Sequence, residues 1–544
     1  MTAAMTASLA GCGGGETAAT TTAAAESKGA ESSAASNTET EAAAEFSYPM
    51  EAGEPLQYWV ETTTTVSANY ANLGDTPFAK GLMENTGVDI EFLQPPQGQQ
   101  KEQFSLIIAD GDLPDIMEYN WVSDYPGGPE KAIRDGVIIP LNDVIDQYCP
   151  NLKKYLAENP DIDRAVKTDD GNYYCFPFIR GDESLLNTIG LMLRADWLEE
   201  LNLEVPETVD EWYTVLKAFK EEKGATAPYT FEYTNNQYLG ANPFVAAFDT
   251  NYSFYIGSDD QVHFGAVDEG YKEYLETMHQ WYEEGLIDAD IATMKNDQVS
   301  AKITNGTAGA SMGQAGSRMG TWLAAAQQTN PDYDLVAAPQ PSREKGQKAE
   351  FGHVEVAYSG RSSAAITTSC EDVERAARLL DWAYSDEGHM YYNFGTEGVS
   401  YTMEDGEPIY TDEILNNPEG LPVSQAMSAY IRGNYNGPFV QDERYVVQYY
   451  TMDQQKKTPE VWGAGSSNGA AHVMPPITPT SDESKEFSTI INQINTYRDE
   501  MTLKFIFGDA DISEFDEYVS NIEQMGLERA LEIQNAAYER YKTR

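Results

Sequence analysis

Leu56-Gln57-Tyr58-Trp59-Val60 is a short run of apolar and aromatic residues broken by Gln57, apolar and polar residues alternate in Val88-Asp89-Ile90-Glu91-Phe92, and both runs read as strands. The first leads into a threonine-rich loop and the second ends at Pro95-Pro96. Between them the spacing predicts a helix over Phe78 to Asn85. From Gln99 a second helix is expected through Ala109, then a Gly-Asp turn, then a short strand through Ile116 and Met117. This βαβαβ order predicts an α/β unit with a largely parallel sheet.

Further along, capped helices recur. Thr208 and Glu211 form a capping box before EWYTVLKAFKEE, and Gly224 stops that helix. In VDEGYKEYLETMHQWYEEG the positions Tyr271, Tyr274, Leu275, Met278, Trp281 and Tyr282 share one face, with Gly285 as the stop, so Trp281 is expected in the core. Ser369 with Asp372 and Ser513 with Asp516 are predicted to cap two later helices in the same way. No internal repeat is visible.

Composition narrows the function. The chain has 544 residues, and beyond residue 45 enough remains for two or three domains' worth of core. A formal charge of -53, from 88 acidic against 35 basic residues, would repel phosphate backbones and anionic membrane surfaces, so no nucleic-acid partner is expected. No apolar run approaches the roughly 18 residues that span a bilayer. The histidines, His263, His279, His353, His389 and His472, stand in no HExxH or Cys-His spacing, so neither a transition metal nor a cofactor is expected. Apart from Cys12 the cysteines are Cys149, Cys175 and Cys370, an odd number that argues against a disulfide framework, with a single Cys149 to Cys175 bridge left open.

The N-terminus has its own logic. Leu9-Ala10-Gly11-Cys12 resembles a bacterial lipobox, which makes Cys12 the expected lipidation site and residues 1–12 a truncated signal peptide. The preceding MTAAMTAS is short for an export signal and carries no Lys or Arg. Residues 13–45 are dominated by Gly, Ala, Thr, Ser and Glu without aromatic or branched aliphatic side chains, and read as a disordered tether.

Six stretches carry a family resemblance: DGDLPDI (110–116), GVIIPLNDVIDQYCPNLKKYLAENP (136–160), DGNYYCFPF (170–178), LMLRADWLEELNLEVPETVDEWYTVLKAF (191–219), YKEYLETMHQWYEEGLID (271–288) and GTEGVSY (395–401). Together they resemble the family 1 extracellular solute-binding lipoproteins of bacterial carbohydrate ABC importers. The resemblance implies a bilobed, periplasmic-binding-protein-like (type II) α/β fold that closes on a solute and hands it to a membrane permease. Crossing segments are expected near Phe176 to Asn187, His353 to Ile366 and Gly395 to Gly406. Lobe 1 would then be 46–180 and 362–400, and lobe 2 would be 181–361 and 401–544. The expected partners are an oligosaccharide and ABC permease subunits. The protein itself would be a monomer on the extracellular face of the cell membrane, touching the bilayer through its lipid only.

In open α/β sheets ligands bind beyond the carboxyl ends of strands, and a neutral sugar needs aromatic faces together with polar side chains for its hydroxyls. After the first strand these are Trp59 and Glu61. The loop after DLPDI offers Tyr119, Trp121 and Asp124, roles carried over from the resembling family, with Trp121 foremost. From lobe 2 come Tyr233, Asn235 and Asn236 in FEYTNNQY, and Gln314, Ser317 and Trp322 in SMGQAGSRMGTW. Tyr358 and Arg361 in AYSGRSS and Trp462 in VWGAGSSNG complete the candidates. Arg361 would favour an acidic group on the ligand, but an internal salt bridge with one of the many carboxylates is the stronger expectation. The polar candidates could serve peptides or sugar acids as well, so both stay open.

One motif points to an enzyme. Gly309-Ala310-Ser311-Met312-Gly313 fits the G-x-S-x-G nucleophile elbow, and His353, His389 or His472 could complete a triad. The flanks are poor for a strand-turn-helix, and a serine hydrolase is kept as the alternative to a binding protein without catalytic residues. Asp509-x-Asp511-x-Ser513 begins like a calcium loop but has Glu514 where an EF-hand needs Gly. A role for Ser513 as helix cap is the expectation there.

Overall fold

In this computed structural model the described residues are 46–233, 243–360, 363–432, 437–466 and 468–544. Their strands are β1 (Leu56–Val60), β2 (Ile90–Leu93), β3 (Ile116–Tyr119), β4 (Ile179–Arg180), β5 (Ile189–Arg194), β6 (Phe254–Ile256) and β7 (Val262–Phe264). Then follow β8 (Ala310–Gln314), β9 (Leu335–Ala337), β10 (Ser363–Ile366), β11 (Tyr401–Glu404), β12 (Glu407–Tyr410) and β13 (Val440–Gln441).

The strands predicted at the start form the first sheet, in the order β10-β3-β1-β2. β1 lies parallel to both β2 and β3, and β10 adds an antiparallel edge. Helices Pro77–Thr86 and Gln100–Asp110 provide the two crossovers. A first apolar cluster packs around this sheet from Leu56, Tyr58, Val60, Phe92, Ile116 and Met117 to Leu379, Leu380 and Trp382.

The second sheet is β8-β5-β9, antiparallel throughout. The two-residue period of β5 sends Ile189, Leu191 and Leu193 into a second apolar cluster and Met192 into a third, on the opposite face. Helices Val209–Lys223 and Glu269–Glu283 cover the second-cluster face, where Phe244 meets Trp281 and Trp212 edge-on at 5.0 and 5.4 Å. Each such pair is worth about 0.5–1.5 kcal/mol beyond its area. Trp281 is indeed core. The two sheets with their flanking helices make an α/β, bilobed, periplasmic-binding-protein-like fold.

Between the sheets several segments run side by side. β4 pairs in parallel with β13, the Arg180 amide donates to Ala357 and the Glu355 amide to Leu186. The chain passes from the first to the third cluster between Tyr392 and Phe394. There the Asn393 side chain donates to the Val440 carbonyl at 2.9 Å and accepts from the Asp442 amide at 3.0 Å. The expected crossing at Gly395 to Gly406 is instead taken up largely by the β11–β12 hairpin.

A further tie comes from helix Leu527–Lys542. It starts in the second cluster at Leu527 and ends with Tyr541 packed on the first. Beside Tyr541, Arg540 and Arg544 both pair with Asp169, the latter at 2.5 Å.

Three local expectations are corrected. The helix Val373–Trp382 is capped by Asp372 itself, which accepts from the Arg375 amide, rather than by Ser369. At 512–524 the capping box is Asp511 with Glu514, two residues before Ser513 with Asp516. Asp372 reaches the third amide after it and Asp511 the second, and either outcompetes a serine displaced from the helix start. Cys149 and Cys175 are both free, buried thiols, so the bridge left open is not formed.

Candidate ligand-binding cleft

The carboxyl end of β1 and the carboxyl end of β8 face one cavity of about 270 Å³. Thr63, Thr64 and Thr65, just beyond β1, form one wall. Opposite them are Gln314, Gly316 and Ser317, in the residues that leave β8 through the π-helical turn Ala315–Gly320. Ser424, Met427 and Ser428 of helix Val423–Tyr430 and Tyr445, Tyr449 and Tyr450, in and after helix Glu443–Tyr449, close the remainder. The cavity thus lies where a ligand would touch elements of both sheets.

Local chemistry fixes each wall. The Thr63 hydroxyl accepts from the Val66 amide and so caps the short helix Thr64–Ser67. Tyr449 lies flat enough on the π turn that a Cβ at Gly316 would sit 2.3 Å from its Cε1, which is why glycine occupies that position. The Tyr445 hydroxyl accepts from Gln441 Nε2 at 2.6 Å, tying the tyrosine helix to β13.

Helix Val423–Tyr430 is anchored at its far end by a buried ion pair. Arg432 donates to Glu118 of β3 at 2.6 Å, and the other carboxylate oxygen accepts from Tyr58 of β1 at 2.8 Å. Burial pushes the proton affinity of Glu118 up, and the Arg432 guanidinium opposes it.

The expected site residues divide clearly. Gln314 and Ser317 line the cavity. Glu61 is half-buried just before its threonine wall and accepts from Gln100 at 3.0 Å. Burial first, and then the charge of Glu118, hold its carboxyl above the usual range. Tyr119 is half-buried and edge-on to Trp59 at 5.4 Å, and burial pushes its hydroxyl up to about 12. Asp124 pairs with Lys101 at 3.1 Å.

The tryptophans are corrected to core residues. Trp121 is 0% exposed, edge-on to Phe104 at 5.2 Å, with its indole N–H on the Met117 carbonyl, so no ring face is left for a ligand. Trp59 is buried in the same cluster, tilted on Phe104 at 6.0 Å. Trp322 and Trp462 are buried in the third cluster, donating to Ser300 and to the Leu191 carbonyl. Tyr233 is buried with its hydroxyl on the Asp499 carbonyl, and Tyr358 is buried against Tyr174 and Cys175. Asn235, Asn236, Arg361 and Cys12 lie outside the described residues.

Sequence reasoning missed the threonine wall, Ser424, Met427, Ser428 and the three tyrosines. A usable signal existed for two of these groups. The TTTT run follows a predicted strand after a single residue, Glu61, and Tyr445-Val-Val-Gln-Tyr449-Tyr450 places tyrosines four apart, on one face of a helix.

The serine motif resolves differently from a nucleophile elbow. Ser311 is 0% exposed inside β8, opposite Met192 of β5, so the strand-turn-helix that exposes a nucleophile is not formed there. Among the described residues no group of three or more His, Cys, Asp or Glu side chains could hold a metal, and no helix is long and apolar enough to cross a membrane.

Two α/β lobes with a tyrosine-walled cavity, edged by hydroxyl and amide side chains, between their strand ends define a solute-capturing protein of the hinge-closing class. Residues 50–390 match the bacterial extracellular solute-binding protein family, and the chain belongs to it. It is similar to the fructooligosaccharide ABC transporter substrate-binding protein FusA of Streptococcus pneumoniae serotype 4, with 27% identity over 483 residues, 85% of this chain and 86% of FusA. Among solved structures it resembles the alginate-binding protein AlgQ2, at 26% identity and a TM-score of 0.71, over 89% of this chain and 98% of that one. FusA in complex with kestose superposes with the same TM-score at 23% identity, over 90% of this chain and 100% of that one, a likeness of fold.

Proposed function

We propose that this protein is the receptor of an ABC importer, capturing an oligosaccharide in the cavity between β1 and β8 and delivering it to permease subunits. The observation that carries the reading is the lining itself: three tyrosines against seven hydroxyl- or amide-bearing side chains, contributed by both lobes. Tyrosine rings supply flat apolar faces for C–H surfaces, and hydroxyls both donate to and accept from sugar hydroxyls. Similarity to a fructooligosaccharide-binding relative supports the ligand class.

In this reading lobe 1 comprises residues 46–180 and 362–393, the second boundary set at the passage between Tyr392 and Phe394 rather than at 400, lobe 2 comprises residues 181–361 and 394–544, and ligand contacts to both select the closed state. The protein performs no chemistry on its cargo. It works as a monomer on the extracellular face of the membrane, anchored through a lipid on Cys12. Cys12→Ser would move it from the membrane to the medium, and membrane retention of that variant would contradict the anchor.

The test of the receptor reading is isothermal titration of the body from residue 46 with kestose and other trisaccharides, alongside a thermal shift. Saturable binding with a raised melting temperature is expected, since a ligand of the folded state alone must stabilise it. Binding of short peptides with no glycan bound would contradict it.

A further inference from the structure

We infer that the glycan held in this cavity is uncharged, and that its recognition uses no ionic contact. The inference rests on the receptor reading and narrows it to one substrate class, neutral oligosaccharides as against uronates.

The lining is the first argument. Asp, Glu, Lys and Arg make up 23% of the chain, yet none of the described residues that line the cavity is charged. A carboxylate moved out of water needs a cation or several directed donors to offset its lost hydration, and hydroxyls that also act as acceptors do this poorly. Recognition of carboxylates therefore draws on arginine, whose planar fork binds them in bidentate fashion.

The arginines beside the cavity walls are already engaged. Arg318, next to Ser317 on the π turn, is buried against Glu232 at 3.3 Å. Arg432, two residues past helix Val423–Tyr430, is held by Glu118. Arg444, one residue before Tyr445, pairs with Asp442 at 2.6 Å and Glu407 at 3.2 Å. All three guanidinium groups are committed to carboxylates of the protein itself. To use any of these three described guanidinium groups a uronate would have to break its pair, leaving a partly or wholly buried acid uncompensated.

The remaining charge is acidic. Beside the threonine wall stands Glu61, whose hydrogen-bond partner Gln100 is neutral, on a chain of formal charge -53. The local field and the overall field both oppose an approaching anion. Neutral hydroxyl groups meet no such barrier.

The experiment is calorimetry of the body from residue 46 with three neutral trisaccharides, kestose, maltotriose and cellotriose, and two anionic ones, trigalacturonate and an alginate trisaccharide. Each is titrated at low and at high ionic strength. At least one neutral sugar should bind with a Kd that changes less than about twofold with salt, and both uronates should bind at least about 100-fold more weakly. A uronate bound as tightly as the best neutral sugar, or a Kd that rises steeply with salt, overturns the inference and leaves the receptor reading standing. Binding of no glycan at all overturns the receptor reading and the inference with it.

Discussion

Tyr449→Ala is the perturbation that follows most closely from the cavity's geometry. An aromatic side chain buries roughly 150–250 Å² when fully enclosed, and Tyr449 is half-buried against the π turn and Tyr450. A sugar ring stacked on the remaining face would cover about 80–100 Å² of it, worth ~2 kcal/mol at about 25 cal/mol per Å². The expected loss is therefore about 30-fold in Kd, with a much smaller loss of stability. Gly316→Ala provides an independent route to the same effect. Its Cβ would fall 2.3 Å from Tyr449 Cε1, so the ring must swing away while every cavity-lining tyrosine is retained. Tyr449→Phe keeps the apolar face and should bind within about tenfold of the wild type, the cost of one hydrogen bond. The assay is titration calorimetry with the tightest-binding trisaccharide, with urea denaturation as the control for folding. If Tyr449→Ala and Gly316→Ala both bind within threefold of the wild type, the stacking argument is refuted.

Three further outcomes concern what holds the cleft in place. Glu118→Gln removes the carboxylate that compensates buried Arg432 and should cost about 3–5 kcal/mol in urea denaturation, and a loss below 1 kcal/mol would show that the pair does not anchor helix Val423–Tyr430. Trp121→Ala should act on stability, by about 3–5 kcal/mol, because the indole is core, while the folded fraction keeps its ligand affinity within threefold. Asp381 accepts from the Leu152 amide at 2.8 Å and from the Asn151 side chain at 2.8 Å, yet burial outweighs these bonds and pushes its carboxyl from 3.8 to about 6. Since the folded state then keeps a proton that the unfolded state has lost, this group's contribution is full below about pH 4 and declines as pH rises to about 6, by on the order of 1 kcal/mol per pH unit. Stability measured from pH 4 to 6 should fall less steeply in Asp381→Asn than in the wild type, and identical slopes would contradict the shift.

The sequence disclosed what local rules govern. The apolar strand run at 56–60, the crossover helices and the Thr208 capping box depend on neighbours within a few residues, and all stand where expected. Caps drifted where two adjacent acceptors competed, as at Ser369 against Asp372. The rule that ligands meet strand ends led to Gln314 and Ser317. It failed for the tryptophans because the residue type that stacks on sugars is also the one that fills cores, and only burial separates Trp121 from Tyr449. Ser424, Ser428 and Tyr445 come from helices far along the chain, brought to the cavity by the Glu118–Arg432 pair and the Gln441 bond, contacts with no signature in sequence.

The most direct test of the central claim is a crystal structure of the body from residue 46 grown with its tightest-binding trisaccharide. The account predicts one sugar ring stacked on Tyr449 and hydroxyls within hydrogen-bond distance of the Thr63–Thr65 wall and of Ser317 or Ser424. A sugar found instead in the separate groove between Pro126–Lys131 and Ser484–Asn492, with the tyrosine-walled cavity left to solvent, would contradict it.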